Sequence, residues 1–398
     1  TMLFTDILFW TKRVSVKRIV IFLMAVTVST ELVYNAKLIM TLDGGVEHFT
    51  QYAEDEMKLI GQLQQQDGGF YRINQTSTRD VDGNKLTANY NEGIAYNYKS
   101  ISGYTSDPDR NQLLFMKQMG YAICGDVMNV VNTSVLGADS ILGVKYVLSS
   151  YDIPGLKKLE NIEPGNGKSV YYNPYALPVA FTYESSNMLP DSEEKDEFLY
   201  QNQLFSYLSG QNVQVNKRIE AEPKADSNTV GYDVKHMDDP VYGYFNMKDK
   251  DGGKVYVDDQ YVTLYNTWLC PRVVYIPQQP DAPSTHVHID GDNMENRVES
   301  ACFYYTDLNE LEKVTQKIQD RREDGLLIQD GSITGTVKNP QNLDRLYLSV
   351  PYDKGWSVKV NGKKIKPELV GNCMMSLPLE NGENTIEMRY HVPGLKAG

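Results

Sequence analysis

One stretch limits what this chain can fold into more than any other: the apolar run Ile19 to Met40, IVIFLMAVTVSTELVYNAKLIM, set directly after Lys12, Arg13, Lys17 and Arg18. A helix that crosses a bilayer needs about 20 mostly apolar residues at ~1.5 Å of rise each. This run has that length. Its charges, Glu31 and Lys37, fall in the second half, where long side chains reach toward the far interface. The positive-inside rule keeps the basic flank in the cytoplasm, so the helix is expected to leave the membrane outward near Met40. A cleaved secretory signal would show a short apolar core and an A-x-A-like cleavage site. Glu31, Tyr34, Asn35 and Lys37 stand there instead, so a membrane span is preferred to a signal or a buried core helix. The opening MLFTDILFW reads as the tail of an earlier helix, with TKRVSVKR as a short cytoplasmic loop.

The rest of the chain has a different character. Mean hydropathy is −0.44 over 398 residues, so a single anchor on a large polar region is the natural picture. Of the net charge of −13, residues 1–40 contribute +3 (five basic, two acidic), which leaves −16 on the remainder. An acidic exterior excludes nucleic acid as the expected partner, because that binding is driven by Lys and Arg on phosphate. Cys124, Cys270, Cys302 and Cys373 are far apart and show no C-x-x-C spacing, and the expected state is four thiols without a disulfide. Tyrosine is abundant, 28 residues against three Trp. Its apolar face and polar tip suit wet, polar ligands, and equally β-sheet surfaces.

The patterning predicts an α+β fold: an N-terminal transmembrane helix, an α/β unit, then an antiparallel β-sandwich region. The expected divisions are 1–40 for the membrane segment, 41–210 for the α/β region, 211–393 for the sandwich region and 394–398 for the start of a further membrane helix. Helices are expected over Tyr52–Gln66, where Met57, Ile60 and Leu63 recur at helical spacing, and over Arg110–Met119, Ser192–Leu208 and Leu308–Arg321. Phe70–Ile73 reads as a strand, and ILGVKYVL (Ile141–Leu148) as a buried one. The Ser192–Leu208 helix is expected to bury Phe198, Leu199, Phe205 and Leu208. After Gln211 the period shifts to two, in VQVNKRI, KVYVDD, YVTLY, RVVYI and HVHI. Near the end Leu346, Leu348 and Val350 alternate, as do Trp356, Val358 and Val360, and Ile386, Met388 and Tyr390. Asn361-Gly362 is a type I′ hairpin signal, and short strands with one apolar face imply the sandwich.

Several apparent motifs dissolve on inspection. GNGKS (Gly165–Ser169) lacks the Gly of a phosphate-binding loop, because that position is Ile162, so it reads as a turn. Asp80, Asp82 and Asn84 have the opening spacing of a calcium loop without its central Gly or closing Glu. His286 and His288 share a strand face beside Asp290 but have no further ligand pair. Glu193-Glu194 and Asp258-Asp259 read as surface runs. Glu31 with Asn35 is different. Four residues apart, they share a helix face inside the span, where ionisable groups are costly and often functional, although Glu31 is also placed to snorkel.

The segments YYNPYALPVAF (Tyr171–Phe181), ILGVKYVL and VPYDKGWSVKVNGKK closely resemble the YfhO family of bacterial multi-pass membrane proteins. ELVYNA within the span, Gly103-Tyr104, FYYTDLNEL and the terminal YHVPGLKAG match the same pattern. The resemblance implies a GT-C type glycosyltransferase that moves a sugar from a polyprenyl-phosphate donor to a cell-envelope glycopolymer, lipoteichoic acid, at the bacterial membrane. A divalent cation belongs to the same expectation, since the leaving phosphate must be steadied. The family's catalytic acid is expected in a first external loop beside an early membrane helix. No residue here corresponds to it, so no catalytic residue is carried over. Tyr171, Tyr172, Asn173 and Tyr175 are the candidate sugar-binding residues, the tyrosines as stacking platforms, with Glu31 and Asn35 as candidates at the membrane. The competing reading is a non-catalytic, membrane-anchored module that binds glycans or proteins.

Overall fold

The computed structural model describes residues 12–42, 46–77, 91–125, 127–185, 189–191, 193–249, 251–265 and 271–395. The opening apolar segment, the Asp80–Asn84 turn and Cys270 lie outside the described residues. The chain divides into two compact units, Thr1–Lys58 and Leu59–Gly398.

In the first unit, the helix Val14–Leu42 is apolar around its whole circumference. Its segment Val14–Ile39, 26 residues with a mean hydropathy of 1.7, is ~39 Å long at 1.5 Å per residue, more than the ~30 Å of a hydrocarbon core. The helix begins five residues before the apolar run, because nothing in VSVKR opposes helix. Thr27 and Thr30 donate their hydroxyls to the carbonyls of Leu23 (2.9 Å) and Val26 (2.8 Å). Their polar groups are thereby satisfied inside the helix, as a bilayer requires. The helix Val46–Gln66 follows and starts earlier than its apolar spacing suggests.

The second unit opens with a four-stranded sheet in the order Arg72–Gln75, Val144–Ser149, Ser169–Tyr172, Lys157–Lys158. The first pair is parallel and the others antiparallel. Helices Arg110–Gln118, Glu197–Ser209 and Leu308–Gln319 belong to the same unit, each capped by an aspartate: Asp109, Asp196 and Asp307 accept from backbone N–H groups of the first turn. Such caps are worth about 1 kcal/mol each. Phe115, Phe198, Phe205, Leu208, Leu311 and Val314 merge in one core with Val144 and Val147 of the sheet. Two expectations differ here. Leu136–Ile141 is helical and ends at Gly143, whose φ of +68° stops it, so only Val144–Leu148 of ILGVKYVL is strand. Leu199 is 42% exposed, because it points away from the face that Phe198, Phe205 and Leu208 bury.

Residues 216–306 form a first pair of antiparallel sheets. A five-stranded sheet (Gln260–Tyr265, Gly253–Val257, Ser284–Asp290, Thr229–Lys235, Pro223–Ala225) and a four-stranded one (Val274–Ile276, Val241–Met247, Val298–Thr306, Asn216–Ile219) share a core of Val234, Val255, Ile289, Val241, Ile276 and Phe303. The entering strand and the leaving strand are neighbours, with Asn216 opposite Thr306.

A second pair of sheets closes the chain. One holds Leu326–Gln329, Ser332–Val337, Asn384–Tyr390, Trp356–Val360 and Lys363–Ile365, and the other Glu368–Val370, Met374–Pro378, Arg345–Pro351 and Ala180–Tyr183. Leu346, Leu348, Val358, Met375, Ile386 and Met388 fill its core. Asn361 and Gly362 turn the hairpin at φ of 52° and 75°, as the Asn-Gly pair predicts. Trp356 is partly buried at the rim and meets Tyr390 edge-on at 5.3 Å, so the core of that face is Val358 and Val360. The β-sandwich region is therefore two sandwich-like layers pairs rather than one. The division expected at 210 also cuts through the second, because Ala180–Tyr183 pairs with Arg345–Leu348. Cys124, Cys302 and Cys373 are buried and outside any disulfide.

Candidate functional site

The Tyr-rich stretch is the crossover between two sheets. Ser169–Tyr172 belongs to the α/β sheet and Ala180–Tyr183 to the last sandwich. The Asn173–Val179 link makes one wall of a groove of about 580 Å³. Asn173 fixes this link from behind. Its side chain is buried, donates to the Val144 carbonyl at 3.0 Å and accepts from the Tyr175 N–H at 3.0 Å. Gln319, from the last turn of the Leu308–Gln319 helix, donates to the carbonyls of Pro174 and Ala176, both at 3.0 Å. Opposite lie the Gly68–Tyr71 loop and the Arg322–Ile328 segment. A second groove, about 650 Å³, shares Gly68, Gly69, Phe70, Tyr71 and Ile328 and extends past Asn97, Lys99 and Asp330. Both volumes fall in the roughly 300–1,000 Å³ range of small-ligand sites.

Aromatic rings and ion pairs dress these walls. Phe70 is 37% exposed and carries the Arg72 guanidinium over its ring at 5.6 Å. Tyr71 meets Tyr146 edge-on at 5.1 Å, and Tyr146 lies 6.0 Å from Tyr172. Asp67 accepts from Lys145 (2.5 Å), Tyr146 (2.9 Å) and the Gly69 N–H (2.9 Å). Burial pushes its pKa upward, but the hydrogen bonds from Lys145, Gly69 and Tyr146 outweigh that and hold it below the usual carboxylate range. Arg72 anchors the loop by donating to the Leu142 carbonyl (2.6 Å), the Ser349 hydroxyl (2.9 Å) and the Ser349 carbonyl (2.5 Å). With the part-exposed Phe70 ring and carboxylate acceptors, the site can hold a polyhydroxylated ligand.

Of the residues singled out by sequence, Tyr172 and Asn173 border the groove. Tyr171 is buried and donates its hydroxyl to Asp152 at 2.5 Å, and burial pushes that phenol well up. Tyr171 is therefore a packing residue, since successive strand residues point to opposite faces. Tyr175 packs half-buried against the main core, beside Gly155, and does not line the groove. Glu31 and Asn35 are exposed on the Val14–Leu42 helix of the first unit. Phe70, Lys145, Arg322 and Leu327 were not singled out by sequence, because three separate segments deliver them. The Asp-Gly-Gly at 67–69 was the available signal, being a turn flanked by aromatics.

Other motifs settle into structural roles. His286 bonds Asp233 through Nδ1 at 2.8 Å, and His288 stacks on Tyr256 at 4.9 Å. Among the described residues no three His, Cys, Asp or Glu side chains converge as metal ligands. GNGKS is a turn closed by reciprocal backbone bonds between Gly165 and Lys168, with Lys168 turned inward onto Gln75.

A family model described as bacterial membrane protein YfhO matches residues 1–398. The chain is 25% identical over 223 residues to a Bacillus subtilis (strain 168) protein named uncharacterized protein YfhO. That match covers 54% of this chain and 24% of the relative, so the chain spans about a quarter of that relative's length. Among solved structures, a Paenibacillus cycloisomaltooligosaccharide glucanotransferase aligns at 8% identity over 43% of this chain and 44% of that one, with a TM-score of 0.14. The CUB1-EGF-CUB2 domains of rat MASP-1 align at 12% identity over 44% and 92%, with a TM-score of 0.16. Scores of that size carry no argument about fold or function.

Proposed function

Because this chain belongs to the YfhO family of bacterial membrane proteins, we propose that it supplies the acceptor-holding domain of a membrane glycosyltransferase. In this reading the whole protein moves a sugar from a polyprenyl-phosphate donor onto a cell-envelope glycopolymer of the lipoteichoic acid kind. The observation that carries it is the groove beside Tyr172, where Phe70 and Tyr172 rings stand among carboxylates and backbone amides. Sugar rings bind such walls by stacking their CH faces on aromatics and bonding their hydroxyls to the polar groups. Donor, catalytic carboxylate and any divalent cation belong to membrane helices outside these 398 residues, in keeping with the quarter of the relative that the chain spans. The basic flank Lys12, Arg13, Lys17 and Arg18 favours a cytoplasmic start to the span, and in this reading the domain after residue 40 faces the extracytoplasmic side, where the envelope polymer lies.

In cells, Tyr172→Ala in the full-length protein is expected to lower polymer glycosylation about fivefold or more, the rate equivalent of ~1 kcal/mol of lost stacking. Membrane insertion should be unchanged, and Tyr171→Phe should leave glycosylation intact. Wild-type glycosylation in Tyr172→Ala would overturn the acceptor role and favour a module that only binds.

Orientation is tested separately. In a cysteine-free background, Lys12→Cys should be shielded from impermeant thiol reagents in intact cells, while Lys248→Cys should label. The reverse pattern would place this domain in the cytoplasm and remove the envelope reading.

A further inference from the structure

The outward side of the sheet built on Asn384–Tyr390 carries a charge opposite to that of the region around it. Ile333, Val358, Val360, Ile386 and Met388 fill the core, so alternation turns Ser357, Lys359, Glu387 and Arg389 outward. Register sets Lys364 opposite Lys359, and Lys359 opposite Glu387. Arg389 lies between Ser357 and Ser332. Lys366, two residues beyond Lys364, is exposed as well. Lys359 is engaged by Glu387 at 3.3 Å. Among the described residues Lys364, Lys366 and Arg389 have no ion-pair partner. The patch is therefore +3 (four basic, one acidic), within residues 41–398 that together carry −16.

Directly opposed like charges weaken a sheet, and Lys359 with Lys364 is such a pair. Lysines on an edge strand guard against edge-to-edge pairing, and Lys363–Ile365 is an edge. That role does not extend to Arg389, which sits on the central strand of the five. The cations stand about 5 Å apart across neighbouring strands and about 7 Å apart at two-residue steps, measured at their Cβ positions. The same cross-strand row also leads to the groove. From Lys364 it runs through Lys359, Glu387 and Thr334 to Leu327, and Leu327 is a groove wall. Four strand spacings of ~4.8 Å make that path about 19 Å.

We infer that this face holds a phosphodiester-linked envelope polymer by its phosphates, on Lys364, Lys366 and Arg389, while another repeat of the same polymer lies in the groove beside Tyr172. This deepens the acceptor-holding reading and rests on it for the biological setting. An anionic bilayer offers the same phosphate chemistry, but as a plane it would also meet the acidic surroundings of the patch. A single polymer strand meets the patch alone, since charges beyond about 8–10 Å are screened.

The test is calorimetry on the complete chain held in phosphatidylcholine nanodiscs, with bare polyglycerol-phosphate as the probe. Affinity should fall about tenfold or more between roughly 50 and 500 mM salt. Arg389→Gln should weaken binding about threefold, the worth of one exposed ion pair, and Arg389→Gln combined with Lys364→Gln and Lys366→Gln about tenfold or more. Lys235→Gln, an exposed lysine of the other sandwich, should leave it unchanged. Salt-independent binding, or none, would overturn the inference. So would aggregation of the Lys364→Gln, Lys366→Gln variant at unchanged polymer affinity, which would make the lysines edge guards only. Capture of the nanodiscs by phosphatidylglycerol vesicles that polyglycerol-phosphate fails to displace would make the patch a membrane contact and also overturn it. Lost polymer binding in the triple variant, with normal glycosylation by Tyr172→Ala in cells, would uphold the inference and remove the enzymatic setting. Retained binding in the triple variant, with impaired glycosylation by Tyr172→Ala, would sink the inference and leave the acceptor-holding reading standing.

Discussion

Replacing Asp139 with alanine is expected to destabilise the α/β unit by about 3–5 kcal/mol, since it strands several buried donors at once. Asp139 is fully buried and accepts from Asn74 (2.9 and 3.1 Å), the Tyr121 hydroxyl (2.6 Å) and the Ser134 hydroxyl (2.6 Å). It ties the Arg72–Gln75 strand to the Leu136–Ile141 helix. Burial lifts its pKa to about 6, a rise only partly offset by the bonds from Ser134, Tyr121 and Asn74. Between about pH 4 and pH 6 the native state therefore holds a proton that the unfolded chain has released. Stability from this group falls as pH rises through that window and is flat above it. A shift of about two units corresponds to roughly 3 kcal/mol at 1.36 kcal/mol per unit. Asp139→Asn should lose this dependence. Denaturant titrations of wild type and Asp139→Asn from pH 4 to pH 7 check it, because subtracting the two curves removes the other carboxylates. A difference that does not change with pH would mean that Asp139 is not titrating as a buried group.

Arg72→Ala should cost about 2–4 kcal/mol, the range for removing one partner of several buried charge-assisted bonds. Its guanidinium joins the first strand of the α/β sheet to Ser349, 277 residues later. Burial lowers its pKa to about 10, so it stays charged at neutral pH and the carbonyls of Leu142 and Ser349 keep a cationic partner. Arg72→Lys retains charge without the fork and should lose roughly half as much. A loss under about 1 kcal/mol would show that the two layers are held by apolar packing alone.

What the sequence disclosed was local. Asn361-Gly362 specifies its turn within two residues and makes it where expected, and Asp307 and Gly210 cap their helices by equally local chemistry. ILGVKYVL misled because short apolar runs suit buried helix and buried strand equally, and Gly143 alone separates the two. The pairing of Ala180–Tyr183 with Arg345–Pro351 had no local signature at all. The site was legible only at Tyr172 and Asn173. Alternation already forbade Tyr171 and Tyr172 from serving one surface, while Phe70, Lys145 and Arg322 converge through tertiary contacts that no spacing encodes.

The adjacency of Asn216 and Thr306 makes residues 216–306 an insertion with a pinched neck. Once that sandwich has formed, its ends are fixed side by side, and the chain between Tyr183 and Arg345 behaves as though it were roughly half as long. Closure entropy grows only logarithmically, so the saving is about 0.6 kcal/mol, too small to matter at equilibrium. Its weight is in packing: Tyr242, Tyr244, Tyr275 and Tyr304 of the insert enter the main core, with Phe198 against Tyr242 and Tyr304, so the insert's inner sheet and the Glu197–Ser209 helix are stabilised together.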